Sequence, residues 1–381
     1  VKDLILAEIA KLRSGDFDES LLTGTINNLK LQMMNLMEEN SDRADLYVQS
    51  FINGTDWADE VKRIDNLGKI SKQDVIEWAC KYLADNNYAV VYKRQGEDRT
   101  VQKVSAPKIT PIKSNRDVQS AFLAEIQAVE VEPIEPVYAD FEKDMSIFNV
   151  KGVDVLYAQN KINDVTGITI EYNTGTESDP ALNLAFDYLS YLGTPTRSAE
   201  EIAQQMYQLA CNFGLSSGSN RTFISIYGLS ENMPEAMAIV EDLAYNAVPD
   251  EAILANLKAD MFKSRADAKL NQGACFGQLQ QYVLYGPEFI KKTTLTDKQI
   301  QSITSEELLA KVRELLGCQH EIRYSGPASE KEVAKLIEEN HIIAENLKPL
   351  EKAYTRYLPV DASKVYLVQY DAKQIYYMQF S

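Results

Sequence analysis

The amino-acid sequence predicts an α+β protein organised as a repeated unit, and three observations predict it. Three β-rich runs, Met145 to Val150, Val153 to Tyr157 and Thr166 to Tyr172, the last of them alternating, and a further alternating run from Thr222 to Tyr227 read as strands. Much of the remaining chain carries apolar residues at helical spacing, and several of these stretches open on capping boxes. Shifting roughly the first hundred residues along by about 232 positions brings them into register with a later block.

The composition sets outer bounds. At 381 residues, with 45% hydrophobic and 25% charged residues, the chain is long enough for two or more domains and rich enough to pack a core. A net charge of −17 argues against nucleic acid or an anionic membrane as partner, since either demands a basic face. Solvated acidic helix faces explain that charge; a lesser role is attraction of basic peptides. No apolar run is long enough to span a bilayer, so no membrane insertion is expected. Cys80, Cys211, Cys275 and Cys318 are scattered without C-x-x-C spacing and read as mostly buried and reduced. The two histidines, His320 and His341, each stand apart from a second His or a Cys in the sequence and read as structural or exposed. The chain begins at Val1 inside an amphipathic helix, without Met or signal peptide, so the natural N-terminus is expected elsewhere.

Taken in order, Lys2 to Arg13 reads as a helix ended by Ser14-Gly15, and a second start at Asp16 to Glu19 opens a long apolar stripe from Leu21 to Met37. A further helix runs through Tyr47, Phe51 and Ile52 to Asn53-Gly54. Ser71 with Asp74 caps a helix from Lys72 to Leu83, and Tyr88 to Tyr92 follows as a strand. Pro107, Pro111, Pro133 and Pro136 mark the stretch up to Val137 as an extended connector. After the three β-rich runs, Asn173-Thr174-Gly175 turns the chain into a helix opened at Pro180. Gly214 to Asn220 (GLSSGSN) reads as a flexible loop, lacking the lysine and context of a phosphate-binding loop. Helices resume at Glu231 to Tyr245, Asp250 to Ala268 and Gly273 to Tyr285. Thr304 with Glu307 then caps Ser305 to Leu316, before a strand at Glu321 to Tyr324.

The repeat places Asp18-Glu19 on Asp250-Glu251 and Gly54 on Gly286; one residue out of step, Ile70-Ser71 falls on Ile303-Thr304, and Tyr92 returns to Tyr324. Lys364 to Phe380 resembles the paired strands around Val153 to Tyr172, as though another copy were beginning. The expected units are residues 1–97 as the back half of one copy, 98–137 as linker, 138–330 as a complete copy, 331–362 as a helical linker and 363–381 as the opening strands of a third. A cut-out of a longer protein fits that arrangement.

The stretch from Asn183 to Thr194 (NLAFDYLSYLGT), followed by PTRSAEEIAQQM, carries a resemblance. In the insulinase-type zinc peptidases, the M16 family, a helix bearing H-x-x-E-H runs into a short apolar segment, Gly-Thr, and then R-S-A-E-E-I. Gly193-Thr194 and Arg197 to Ile202 match that downstream half. The positions of the first His, the Glu and the second His hold Leu184, Asp187 and Tyr188. A hydrolytic zinc site needs neutral imidazoles, a further ligand and a carboxylate base for the water. The region matching the family's further zinc ligand is Lys263-Ser264-Arg265, in a helix that also holds Asp260 and Asp267, and no Glu stands there.

The resemblance implies a repeated split α/β sandwich, the LuxS/MPP-like metallohydrolase fold, with largely antiparallel sheets and helices packed on one face. Four such domains, or two subunits of two, close around a peptide chamber. It further implies a chain without a catalytic residue or metal of its own, with zinc expected in a missing H-x-x-E-H domain of the parent. Peptide or unfolded protein is the implied substrate, and the remaining M16 domains are the implied partners. Single-chain relatives of this layout point to a bacterial periplasm or cell envelope. A pseudoenzyme or assembly subunit is the alternative, decided by whether the parent holds an intact H-x-x-E-H.

Overall fold

The computed structural model describes residues 1–93, 95–96, 100, 104–111, 118–350 and 354–380. Parts of the expected segments 98–137, 331–362 and 363–381 lie outside those residues. Among them, one six-stranded sheet forms from β1 (Met145–Val150), β2 (Val153–Gln159), β3 (Val165–Tyr172), β4 (Cys211–Ser217), β5 (Thr222–Leu229) and β6 (Glu321–Gly326), in the order β1-β2-β6-β3-β5-β4. The β2–β6 pair is parallel and the other pairs are antiparallel. The α+β class and the largely antiparallel sheet are therefore as the sequence predicts.

Helices precede the sheet: α1 (Lys2–Ser14), α2 (Glu19–Leu36), α3 (Asn40–Asn53), α4 (Trp57–Val61), α5 (Arg63–Leu67), α6 (Lys72–Tyr82), α7 (Ala121–Gln127) and α8 (Phe141–Asp144). Between and after the strands come α9 (Leu182–Leu189), α10 (Ala199–Gln208), α11 (Met233–Asn246), α12 (Glu251–Ala268), α13 (Gln272–Tyr285), α14 (Pro287–Thr293), α15 (Asp297–Ser302), α16 (Ser305–Leu316) and α17 (Glu330–Asn340). The capping boxes expected at Ser71/Asp74 and Thr304/Glu307 both form, and Ser198 with Glu201 forms another. Each satisfies two backbone donors that the first helical turn would otherwise leave without partners.

Alternation along the strands sends Ile168, Ile170 and Tyr172 of β3, Ile224 and Ile226 of β5, and Ile322 and Tyr324 of β6 into a single core. Helices α9, α11, α16 and α17 cover that side of the sheet with Leu184, Phe186, Met237, Val240, Leu308, Val312, Val333 and Ile337. On β3 the outward Glu171 is nonetheless fully buried, held by Arg221 at 3.0 Å and Arg323 at 2.7 Å. The two guanidiniums bracket the carboxylate where burial would otherwise leave it without a counter-charge.

The N-terminal helices meet this unit at one seam. Gly24 on α2 lies so close to α10 that a Cβ there would stand 2.9 Å from Gln208 Cα. Leu31 of α2 joins Val165, Ala210 and Leu229 in a small second cluster, and Asn28 Nδ2 donates to the Tyr207 carbonyl at 2.6 Å.

Four sequence expectations differ from the structure. Gly214 to Ser217 is strand rather than loop: β4 pairs along its length with β5, and the hairpin after it is pinned because Thr176 N and Glu177 N donate to the carbonyls of Gly218 and Ser219 at 2.9 and 2.8 Å. Gly and Ser weaken a strand's local signal, and here the ladder to β5 overrides it. Tyr88 to Tyr92 and the described part of Lys364 to Phe380 form no strand. Both runs have strand composition, but neither belongs to the sheet among the described residues, and composition without a ladder makes no strand. Finally, a helix forms as expected in the stretch read as a helical linker, yet Val333 and Ile337 of α17 are fully buried in the main core, so the packed unit continues past residue 330.

Candidate functional site

Helix α9 places the three positions that matter for the family's chemistry. Leu184 is buried in the core at 3% exposure, on the helix face shared with Ala185, Tyr188 and Leu189. Tyr188 is fully buried, and its hydroxyl is occupied at both ends: it donates to the Asp250 carbonyl at 3.1 Å and accepts from the Asp250 amide at 2.7 Å. Asp250 is in turn the N-cap of α12, its Oδ1 accepting from Ala252 N and Ile253 N. The phenol therefore ties α9 to the start of α12, satisfying polar groups that burial would otherwise leave costly. Asp187 points outward from α9, and the protein packed around its base raises its carboxyl above the ordinary range by desolvation.

The matched downstream half has its own structural account. A Cβ on Gly193 would stand 2.5 Å from the Arg197 carbonyl oxygen, so only glycine admits the tight return of the chain. That return is closed by Thr194 N donating to Arg197 O at 2.7 Å, and Val248 N donates to Gly193 O at 2.9 Å. The Arg197 guanidinium reaches Asp242 on α11 at 2.8 Å and the Gln205 side chain at 3.0 Å, while Thr194 Oγ1 also donates to Asp242. Ser198 and Glu201 then start α10. Thr194, Arg197, Ser198 and Glu201 thus each have a partner, and these ties orient α9, α10 and α11.

The Lys263-Ser264-Arg265 stretch lies near the end of α12. Arg265 pairs with Asp297 and donates to the Leu295 carbonyl, fastening α12 to the start of α15. Among the described residues, no group of three His, Cys, Asp or Glu side chains is arranged to hold a metal ion, and no helix is long and apolar enough to cross a membrane. The four cysteines carry free thiols, Cys211 and Cys318 buried, Cys275 half-buried and Cys80 exposed.

The histidines correct an expectation. Separated by 21 positions, His320 and His341 are brought to 3.0 Å by the fold, because the entry into β6 and the end of α17 meet above α11. Glu241 of α11 completes that group through His341, and no local pattern in the sequence signals it.

No protein-family model matches the chain. A curated relative from Rickettsia felis, named an uncharacterized zinc protease, is 23% identical over 150 residues, covering 39% of this chain. The chain spans 36% of that relative's length. Among solved structures, the ferredoxin protease FusC, in complex with Arabidopsis ferredoxin, matches over 92% of this chain and 42% of its own, with TM-score 0.50 and 10% identity. A peptidase M16 inactive domain from Pseudomonas fluorescens matches over 56% of this chain and 54% of its own, with TM-score 0.48 and 19% identity. The fold is one found in larger proteases, and the resemblance to the M16 zinc peptidases is borne out.

Proposed function

We propose that this chain is a non-catalytic portion of an M16-type zinc metalloendopeptidase, helping to wall a chamber that holds peptide while another domain of the parent hydrolyses it. The observation that carries the reading is the occupancy of the zinc-motif positions: Leu184 is packed in the core and the Tyr188 hydroxyl is committed to Asp250. A leucine offers no ligand atom, and releasing the phenol would strip the N-terminus of α12 of its partner. Asp187 alone supplies neither the ligand set nor the geometry that lowers the pKa of a zinc-bound water. On this reading there is no catalytic residue in the chain, and zinc belongs to an H-x-x-E-H domain outside it. Residues 1–97 are then the back half of one copy of the family's domain and 138–330 a complete copy, with α17 an addition to the second.

The test is direct. The purified 381-residue chain, assayed for metal content and for cleavage of unstructured peptides, is expected to retain no stoichiometric zinc after dialysis and to cleave nothing. One zinc per chain surviving dialysis, together with cleavage abolished by a chelator, overturns the proposal. A parent sequence without H-x-x-E-H would instead favour a pseudoenzyme or assembly role.

A further inference from the structure

Away from the motif region, the buried histidine pair presents an imbalance of protons. His320 Nδ1 lies 2.8 Å from the carbonyl oxygen of Cys318, and His341 Nδ1 lies 2.5 Å from Glu241 Oε1. The remaining ring nitrogens, both Nε2, face each other at 3.0 Å. The residues are buried, His320 at 9% and His341 at 6% exposure.

A carbonyl oxygen can only accept, so His320 must carry a hydrogen on Nδ1. A neutral imidazole has one such hydrogen, which leaves Nε2 as a bare lone pair. An ionised carboxylate also only accepts, so the same logic puts the hydrogen of His341 on Nδ1 and bares its Nε2 too. Two lone pairs in contact, shielded from water, are unfavourable unless a cation lies between them. The candidates are a metal ion and a proton. A metal needs further ligands, and none is arranged among the described residues, whereas 3.0 Å is the ordinary length of an N–H···N hydrogen bond.

We infer that Glu241, His341 and His320 form a buried clasp closed around one proton more than a carboxylate and two neutral imidazoles carry, and that this proton fastens the segment after α17 to α11 and to the Cys318 turn. His341 is the carrier. It donates through Nε2 to the bare Nε2 of His320 and shares its other hydrogen with Glu241, while His320 stays neutral. Burial supports that division, pushing His320 down to about 4, with the neighbouring His341 acting in the same direction against the Cys318 carbonyl. Of the other groups facing the clasp, Tyr172 of β3 packs its ring 5.2 Å from that of His320 and is raised by burial. Burial likewise raises Tyr245 of α11 to about 12 and raises Cys318, so all three are neutral near pH 7. Arg313 of α16 is directed to the carbonyls of Tyr245 and Ala247. Glu241 is therefore the counter-charge.

The clasp holds one end of a strap. Further along, Gln319 N donates to Lys348 O at 2.8 Å and Lys348 N to Gly317 O at 3.0 Å, so residues 341–348 are fastened at both ends. Loss of that proton removes the donor between the rings and loosens the upstream end, which the His341–Glu241 contact and the Tyr245 hydroxyl, donating to the Ile342 carbonyl at 3.2 Å, still tie to α11.

The chain's two histidines make the experiment simple, because histidine-selective 15N labelling gives only four ring nitrogens. At pH 7.5 the expected spectrum shows both nitrogens of His341 protonated, His320 protonated on Nδ1 alone, and scalar coupling across the Nε2···Nε2 contact. Glu241→Gln supplies an amide that donates to a bare His341 Nδ1; it releases the extra proton while keeping all three hydrogen bonds, so His341 turns to its neutral Nε2–H form. Raising the pH should lower hydrogen-exchange protection at residues 342–348, relative to this variant, by about tenfold, the worth of one hydrogen bond. A neutral His341 in the unsubstituted chain, absence of the coupling, or one bound zinc per chain displacing the Nε2 proton would each overturn the inference. The spectrum of the unsubstituted chain decides the matter even where the variant fails to fold.

Discussion

Helices α6 and α16 begin alike and end up in different surroundings. Both open on a complete capping box, and the internal alignment lays one on the other. Yet α16 buries Leu308, Leu309, Val312, Leu315 and Leu316, whereas α6 buries Ala79 and leaves Trp78 at 57% exposure. The segments that follow diverge in the same way. Glu321 to Gly326 is held between β2 and β3, while Tyr88 to Tyr92 joins no strand ladder among the described residues. Local chemistry starts a helix; a sheet to pack against decides how much that helix contributes to stability.

The largest expected effect tests that difference directly. Leu308→Ala removes a fully buried side chain from α16 and should cost about 2–5 kcal/mol in denaturant unfolding. Val75, four residues past its cap as Leu308 is past its own, is half-buried, and Val75→Ala should cost under about 1 kcal/mol. Equal losses would mean that α6 and α16 are packed alike.

Acid should separate the regions next, since both histidines belong to the sheet unit. His320 is held down to about 4 from an ordinary 6.5, so the unfolded chain takes up its proton first. Stability of the sheet unit should therefore fall as pH drops from about 6.5 towards 4, by up to about 3 kcal/mol, and His320→Asn should flatten that slope. Helix content of residues 1–93 should not follow it. Urea titrations across this pH range, read by near-ultraviolet and far-ultraviolet circular dichroism, would sharpen or erase the distinction.

The smallest effect concerns the caps themselves. Thr304→Ala and Ser71→Ala each remove an N-cap acceptor worth about 1 kcal/mol. The first should shift the cooperative unfolding midpoint. The second should show mainly as faster amide exchange in the first turn of α6, because that helix is weakly coupled to the core.

How much was legible in the sequence follows the same line. Capping boxes, the apolar stripes and the alternating strands β1, β2, β3, β5 and β6 are local patterns, and they form where expected. Strand β4 was not legible, because Gly214, Ser216 and Ser217 have turn chemistry and become strand only through the ladder to β5. The same limit misreads Tyr88 to Tyr92 and Lys364 to Phe380, whose strand composition joins no ladder among the described residues. At the candidate site, the absence of imidazoles at Leu184 and Tyr188 could be read directly, but the tie of Tyr188 to Asp250 spans 62 positions and could not. The clasp of Glu241 with His341 spans 100, beyond any motif.

The seam at Gly24 has one more consequence. The groups meeting there are mostly uncharged: Thr25 and Tyr207 hydroxyls 3.0 Å apart, Gln208 donating to Ser20 at 2.7 Å, and Asn28 on a main-chain oxygen. In a molecule of net charge −17, acidic surfaces push against each other more strongly as ions are removed from solution. A joint made of close backbone fit and neutral polar groups keeps its grip across ionic strengths, so α2 stays seated in dilute buffer and in brine alike.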